Sequence, residues 1–167
     1  KMIVDSAVRV QQKYPDIIVG IKIGHFEGAD WAPFDRALQA ASITKTPLFV
    51  ECHLPKYSLQ EQLNKMRPGD IITHSFEQIT ERMPVVDETG KLREFVLAAK
   101  QRGILFDLGH GGAGFWFSQA VPAFKQGLAP NSFGSDLHRF SMNAGMKSMV
   151  NIMSKYMAIG MSLDDVI

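Results

Sequence analysis

Five times along this chain a short apolar run stops abruptly at ionisable residues. Ile17-Ile18-Val19-Gly20-Ile21 leads to Lys22 and then His25, Leu48-Phe49-Val50 to Glu51 and His53, and Ile71-Ile72-Thr73 to His74. Leu105-Phe106-Asp107-Leu108 runs into the glycine-rich turn Gly109-His110-Gly111-Gly112-Ala113-Gly114. Phe133-Gly134-Ser135 runs into Asp136-Leu137-His138. A buried strand that ends at a site of chemistry has this form. Residues 17–23 are β-branched almost throughout with no polar alternation, which predicts a strand covered on both faces.

Helical periodicity fills the intervals. Residues 1–14 set Ile3, Val4, Ala7, Val8 and Val10 against a polar face, and Pro15 closes the segment. Residues 31–43 repeat Phe34, Ala37, Leu38 and Ala41 behind the candidate cap Asp30 and Pro33. Residues 58–66 pair Ser58 with Glu61 in capping-box spacing. Residues 78–90 are irregular, with an exposed turn at 87–90. Residues 92–102 are helical and Gly103 stops them. Residues 118–126 are a weaker helix around Pro122, ended by Gly127. Residues 142–161 carry methionine at 142, 146, 149, 153, 157 and 161, a stripe that predicts a helix packing into the core. Ser162 has the form of a further helix cap.

Strand and helix alternate with no long linker, so residues 1–167 read as a single domain of α/β class with parallel strands and right-handed crossovers. A doubly wound open sheet gathers its site at one switch point, whereas a (β/α)8 TIM barrel draws residues from every strand end. Functional groups on all five strand ends favour the barrel. A full barrel needs about 250 residues, so about five strands predict a partial barrel that the chain enters after its first strands.

A net charge of +1 offers no electrostatic case for nucleic acid or an anionic membrane. Cys52 is the only cysteine, which fits a reducing, cytoplasmic setting. No apolar run reaches membrane-spanning length. The expected partner is a small-molecule substrate, with self-association through exposed strand edges.

Lys22 is the sharpest single residue. An ammonium buried in an apolar run must lose its proton, be modified, or find a partner such as Glu51 or Asp136. A desolvated amine would form a Schiff base or react with carbon dioxide to a carbamate. Glu51 and His53 stand two apart, so both would face one side of an extended strand. Lys22, His74 and Asp136, with Glu51 or His53, supply the nitrogen and carboxylate ligands that divalent metals such as zinc accept. The glycines after His110 resemble a phosphate cradle only weakly, and more simply permit a tight turn and close approach of substrate. His25 and His138 read as substrate contacts or as polar rim.

The strings Val19-Gly20-Ile21-Lys22, Gly69-Asp70-Ile71-Ile72-Thr73-His74, Phe106-Asp107-Leu108-Gly109-His110-Gly111 and Ser135-Asp136-Leu137-His138 occur in order across nearly the whole chain. Together they resemble the amidohydrolase superfamily, nearest its dihydroorotase-like deacetylase branch. The resemblance implies a (β/α)8 metal hydrolase with a carboxylated Lys22 bridging two divalent ions, usually zinc. It further implies His74 as a sixth-strand ligand, and Asp136 as eighth-strand ligand and general base. His110 would serve in catalysis by orienting the substrate or its tetrahedral intermediate, and His25, His138 and Gly111 are the further expected substrate contacts. The implied reaction is hydrolysis of an amide or ester through a metal-bridging hydroxide.

Two departures qualify the likeness. The first-strand His-x-His pair of the family is not in this sequence, so this polypeptide alone is expected to be inactive. Glu51 stands where the family has its fifth-strand histidine, with His53 two residues later. The rival readings are a metal-free aldolase or lyase using Lys22 as a Schiff base, and a structural fragment whose polar groups are inert.

Overall fold

A computed structural model describes residues 3–26, 30–51, 57–80, 82–143 and 145–167. In chain order the elements are α1 (Val4–Lys13), β1 (Ile21–Ile23), α2 (Ala32–Thr44), β2 (Leu48–Val50), α3 (Leu59–Lys65), β3 (Ile71–Ile72) and α4 (Glu94–Gln101). There follow β4 (Leu105–Phe106), α5 (Phe117–Lys125), α6 (Met149–Ala158) and α7 (Leu163–Val166).

The four strands form one parallel sheet in the order β1-β2-β3-β4. Each strand lies beside its sequence neighbour, and the order never reverses as a doubly wound sheet must. The register pairs Ile21 with Leu48, Phe49 with Ile71 and Ile71 with Leu105, so all strands end on one side. This is the winding of a barrel wall, and the α/β partial-barrel expectation holds.

Serine caps written in the sequence are made as drawn. Ser58 accepts from Glu61 N at 3.2 Å and Ser162 from Asp165 N at 3.2 Å, and Ser148, inside the stretch read as continuous helix, accepts from Asn151 N at 3.2 Å. Asp30 is not the cap of α2, whose N-cap is Trp31, but its Oδ1 accepts from Ala32 N at 2.9 Å just ahead of the helix. The core lies between sheet and helices around Phe34, Leu48, Val50, Leu63, Ile72, Phe106 and Leu108, all essentially inaccessible. Each such side chain contributes roughly 1.5–3 kcal/mol on burial. At the starts of the strands Asp70 is buried and accepts from Leu48 N at 2.8 Å and from Arg67 Nη2 at 2.7 Å, tying β2 to the turn before β3. Among the described residues, no helix is long and apolar enough to cross a membrane.

Three expectations need correction. The first strand begins at Ile21 rather than at 17, and Ile17 and Val19 are exposed rather than covered. The amides of Ile17 and Ile18 both donate to Tyr14 O, so a turn consumes those residues before Ile21 N reaches Pro47 O. The fifth strand is reduced to a single parallel bridge, Asp107 with Ser132. Residues 131–135 still run beside β4, with Asn131 N donating to Phe106 O and Leu108 N to Ser132 O. The amide of Phe106, however, donates to the Asn131 side chain at 2.8 Å, replacing a ladder bond.

The long methionine helix is the third. α6 starts at Met149, preceded by Lys147 in the left-handed region at φ 48°. Its buried face is Ile152 and Tyr156. Of the six methionines, Met146 is buried and Met153 and Met161 pack partly buried against the core, as expected, whereas Met142, Met149 and Met157 are exposed.

Candidate functional site

The strand register delivers the expected side chains to one end of the sheet. Beyond the named strands the ladder continues for one residue, with Glu51 N donating to Ile23 O at 2.9 Å, Thr73 N to Val50 O at 3.0 Å and Asp107 N to Ile72 O at 2.8 Å. The chain then turns sharply. His74 and Asp136 both sit at left-handed backbone angles, φ 53° and 45°. Such conformations cost non-glycine residues on the order of 1 kcal/mol or more and persist only where surrounding contacts impose them. For His74 the contact is Arg82, a buried guanidinium whose Nη1 donates to Thr73 O (3.0 Å), His74 O (3.2 Å) and Glu77 Oε1 (2.8 Å). For Asp136 it is Ser141 Oγ, which donates to Asp136 O at 3.0 Å.

Glu51 is the hub. Its carboxylate lies 2.6 Å from Lys22 Nζ, 2.9 Å from His25 Nε2 and 3.3 Å from His74 Nε2. The His74 hydrogen bond, joined by Lys22, outweighs partial burial and holds the Glu51 carboxyl well below the usual carboxylate range. Burial alone would lower the His74 pKa. Its bond to Glu51, the charge of Glu77 and the Gly109 carbonyl outweigh that and raise it. His74 Nδ1 meets Gly109 O at 2.5 Å, and a carbonyl only accepts, so Nδ1 carries a proton and Nε2 is the nitrogen facing the cavity.

Two cavities share these groups. One of about 450 Å³ is lined by His25, Glu51, His74, Glu77, Asp136, His138 and the loop 111–114. The other, about 150 Å³, adds Lys22, Thr73 and Asp107 and shares Glu51, His74 and Asp136. Gly111, at φ 46°, borders Asp136, and a Cβ there would collide with Asp136 Oδ2. His138 Nε2 is 3.8 Å from Asp136 Oδ2.

Of the outcomes open to Lys22, the structure has it paired with Glu51 rather than left as a desolvated amine. Its side chain is 57% exposed and ion-paired. His110 sits apart from the others: it is buried, lines neither of these cavities, and has its Nε2 2.7 Å from Lys155 Nζ. His53 lies outside the described residues. Several contributors were not singled out from the sequence. Glu77 and Arg82 belong to a stretch with no periodic signal. Thr73 and Ser132 both donate to the buried Asp107 carboxylate, at 2.5 and 2.6 Å, which joins two strand ends. Lys155, the one cation on the buried side of an apolar helix, was a readable sign.

The donor chemistry suits a divalent cation. Carboxylate oxygens of Glu51 and Asp136 and the Nε2 of His74 border one space, and the Gly109 carbonyl orients the imidazole as a backbone partner does for metal-bound histidines. Among the described residues, no three His, Cys, Asp or Glu side chains are gathered closely enough to hold a metal ion by themselves, so Lys22 or groups beyond them would have to complete the set.

No family model matches the chain. It is 34% identical over 154 residues to a deacetylase of Brucella anthropi, covering 90% of this chain and 38% of that protein. It is 33% identical over 154 residues to a deacetylase of Agrobacterium fabrum, covering 90% and 37%. Among solved structures it resembles an adenine deaminase (TM-score 0.89, 26% identity, 98% of this chain and 46% of that one) and a dihydroorotase (TM-score 0.86, 30% identity, 99% and 44%). The chain thus spans less than half the length of these relatives, in their C-terminal portion. Consecutive parallel strands, a polar cluster at their C-terminal ends and these likenesses point together to the amidohydrolase superfamily, of whose barrel the chain matches a partial C-terminal portion.

Proposed function

We propose that residues 1–167, as one unit, supply much of the active site of a metal-dependent hydrolase that cleaves an amide or ester of a small molecule. The supporting observation is the grouping of Lys22, His25 and His74 around Glu51, in a space that Asp136 also borders. Lys22, Glu51, His74 and Asp136 would hold the metal, zinc by donor type, with His53 a further candidate. Such an ion lowers the pKa of water toward neutrality and polarises a carbonyl.

The chain's own groups divide the remaining work. Asp136 accepts the proton of the attacking water and passes it to the leaving nitrogen or oxygen. His25 and His138, on the cavity wall, orient substrate, and the glycine loop at 111 admits it close to the carboxylate. A carbamate on Lys22 would reverse its charge beside Glu51, and two adjacent anions are offset only by a shared cation. Carboxylation and metal binding are therefore coupled. The Schiff-base alternative requires a desolvated amine, and the exposed, ion-paired Lys22 disfavours it.

The test uses the full-length protein. Stoichiometric zinc or another divalent metal, hydrolysis of N-acetyl amides or acetate esters, loss of both in Lys22→Ala, and partial recovery with short carboxylic acids are expected. Metal-free protein with undiminished hydrolysis, or borohydride trapping of a carbonyl substrate on Lys22, would overturn the reading.

A further inference from the structure

We propose that Lys155 is a positioning residue: its ammonium fixes His110 as the neutral Nδ1–H tautomer and thereby anchors the loop on which Asp136 rests. His110 Nδ1 lies 3.0 Å from Gly111 O, which can only accept, so Nδ1 carries the proton. Nε2 then needs a donor in a buried place, and Lys155 Nζ is 2.7 Å away. The same ammonium donates to Gly145 O at 2.7 Å and stands over the Phe115 ring, on which the imidazole is stacked at 5.3 Å and 12°. The ring is held by its face and by both nitrogens.

This clamp reaches the site through backbone. His110 N donates to Gly134 O at 2.8 Å and Gly111 N to Ser135 O at 3.0 Å, lacing the loop to the two residues before Asp136. The Asp136 carboxylate occupies the space left by the absent Cβ of Gly111. Turning the His110 ring would draw away the Gly111 carbonyl and with it the surface that backs Asp136. Burial and the nearby Lys155 charge both lower the His110 pKa, which agrees with a ring kept neutral. Since His110 lines neither cavity, Lys155 acts at two removes and belongs to the positioning machinery rather than to the chemistry.

The kinetic half of this proposal rests on the hydrolase reading, and the tautomer half does not. Full-length protein with ring-15N histidine, assigned by loss of one signal in His110→Asn, is expected to show the Nδ1–H tautomer near neutral pH. Lys155→Met is expected to give a ring that exchanges between tautomers and titrates at higher pH, with kcat lowered about ten- to hundredfold and KM little changed. Lys155→Arg, which restores a donor, is expected to keep the wild-type tautomer, and Lys155→Leu, likewise without a donor, serves in place of the methionine variant should that fail to melt cooperatively. An Nε2–H tautomer in the wild type, or a tautomer indifferent to position 155, overturns the clamp. A switched tautomer with unchanged kcat overturns the positioning role, and the expected tautomers in a protein with no hydrolysis overturn the hydrolase reading alone.

Discussion

His74 and His110 follow neighbouring strands, β3 and β4, and each directs its Nδ1 to a backbone carbonyl. Their outer nitrogens differ. His74 Nε2 faces a carboxylate across an open cavity, and its pKa is raised despite burial. His110 Nε2 faces an ammonium beneath a stacked ring, and its pKa is lowered. One residue type, set two residues past β3 in one case and four past β4 in the other, is thus assigned to binding or to support by the charge set opposite its second nitrogen.

The strongest way to break that contrast is to delete each ring. His74→Ala is expected to lower kcat about 10²- to 10⁴-fold, as loss of a site group does, whereas His110→Ala should cost about ten- to hundredfold through misplacement. Steady-state kinetics of the two full-length variants decide it, and equal losses would erase the division. Gly111→Ala comes next, since it forces an alanine to a left-handed angle and displaces the Asp136 carboxylate. We expect about 1–2 kcal/mol of lost stability in denaturant melts, together with reduced kcat.

Glu51→Gln sharpens the comparison from the other side. With the carboxylate gone, the His74 midpoint should move down by NMR titration while that of His110 stays unchanged; a shift in both would mean one coupled network. The smallest effects lie in the pH dependence of stability. The raised His74 pKa contributes stability that is complete below the ordinary value of 6.5 and is lost as pH rises through its folded pKa. The lowered His110 pKa contributes stability that is present above 6.5 and is lost as pH falls through its folded pKa. Melting curves across this range should therefore flatten on the alkaline side in His74→Asn and on the acid side in His110→Asn.

Features set by neighbours in sequence were legible without coordinates. Residues 48–50 form their strand because three apolar residues follow Pro47, and α3 begins at Leu59 because Ser58 can reach the amide three residues on. Repeating strand ends sufficed to expect one parallel sheet with Lys22, Glu51, His74 and Asp136 at a common mouth. Reading 17–20 as covered strand failed because burial depends on what packs against a segment, and a turn from Tyr14 intervenes. The methionine stripe held only in part, with Met146, Met153 and Met161 on the core and the other three exposed, for a related reason. Spacing defines a face of a helix without saying which face meets the core, and Ile152 and Tyr156 meet it.

The amino-acid order by itself determined the alternation of elements, the caps and the chemical groups at each strand end, since these depend on backbone preferences and contacts a few residues long. Tertiary structure alone decided that Lys22 lies exposed against Glu51 and that His110 turns from the cavity toward Lys155, forty-five residues away. Side-chain direction and charge partners are set by packing between distant segments, and periodicity along the chain carries no record of them.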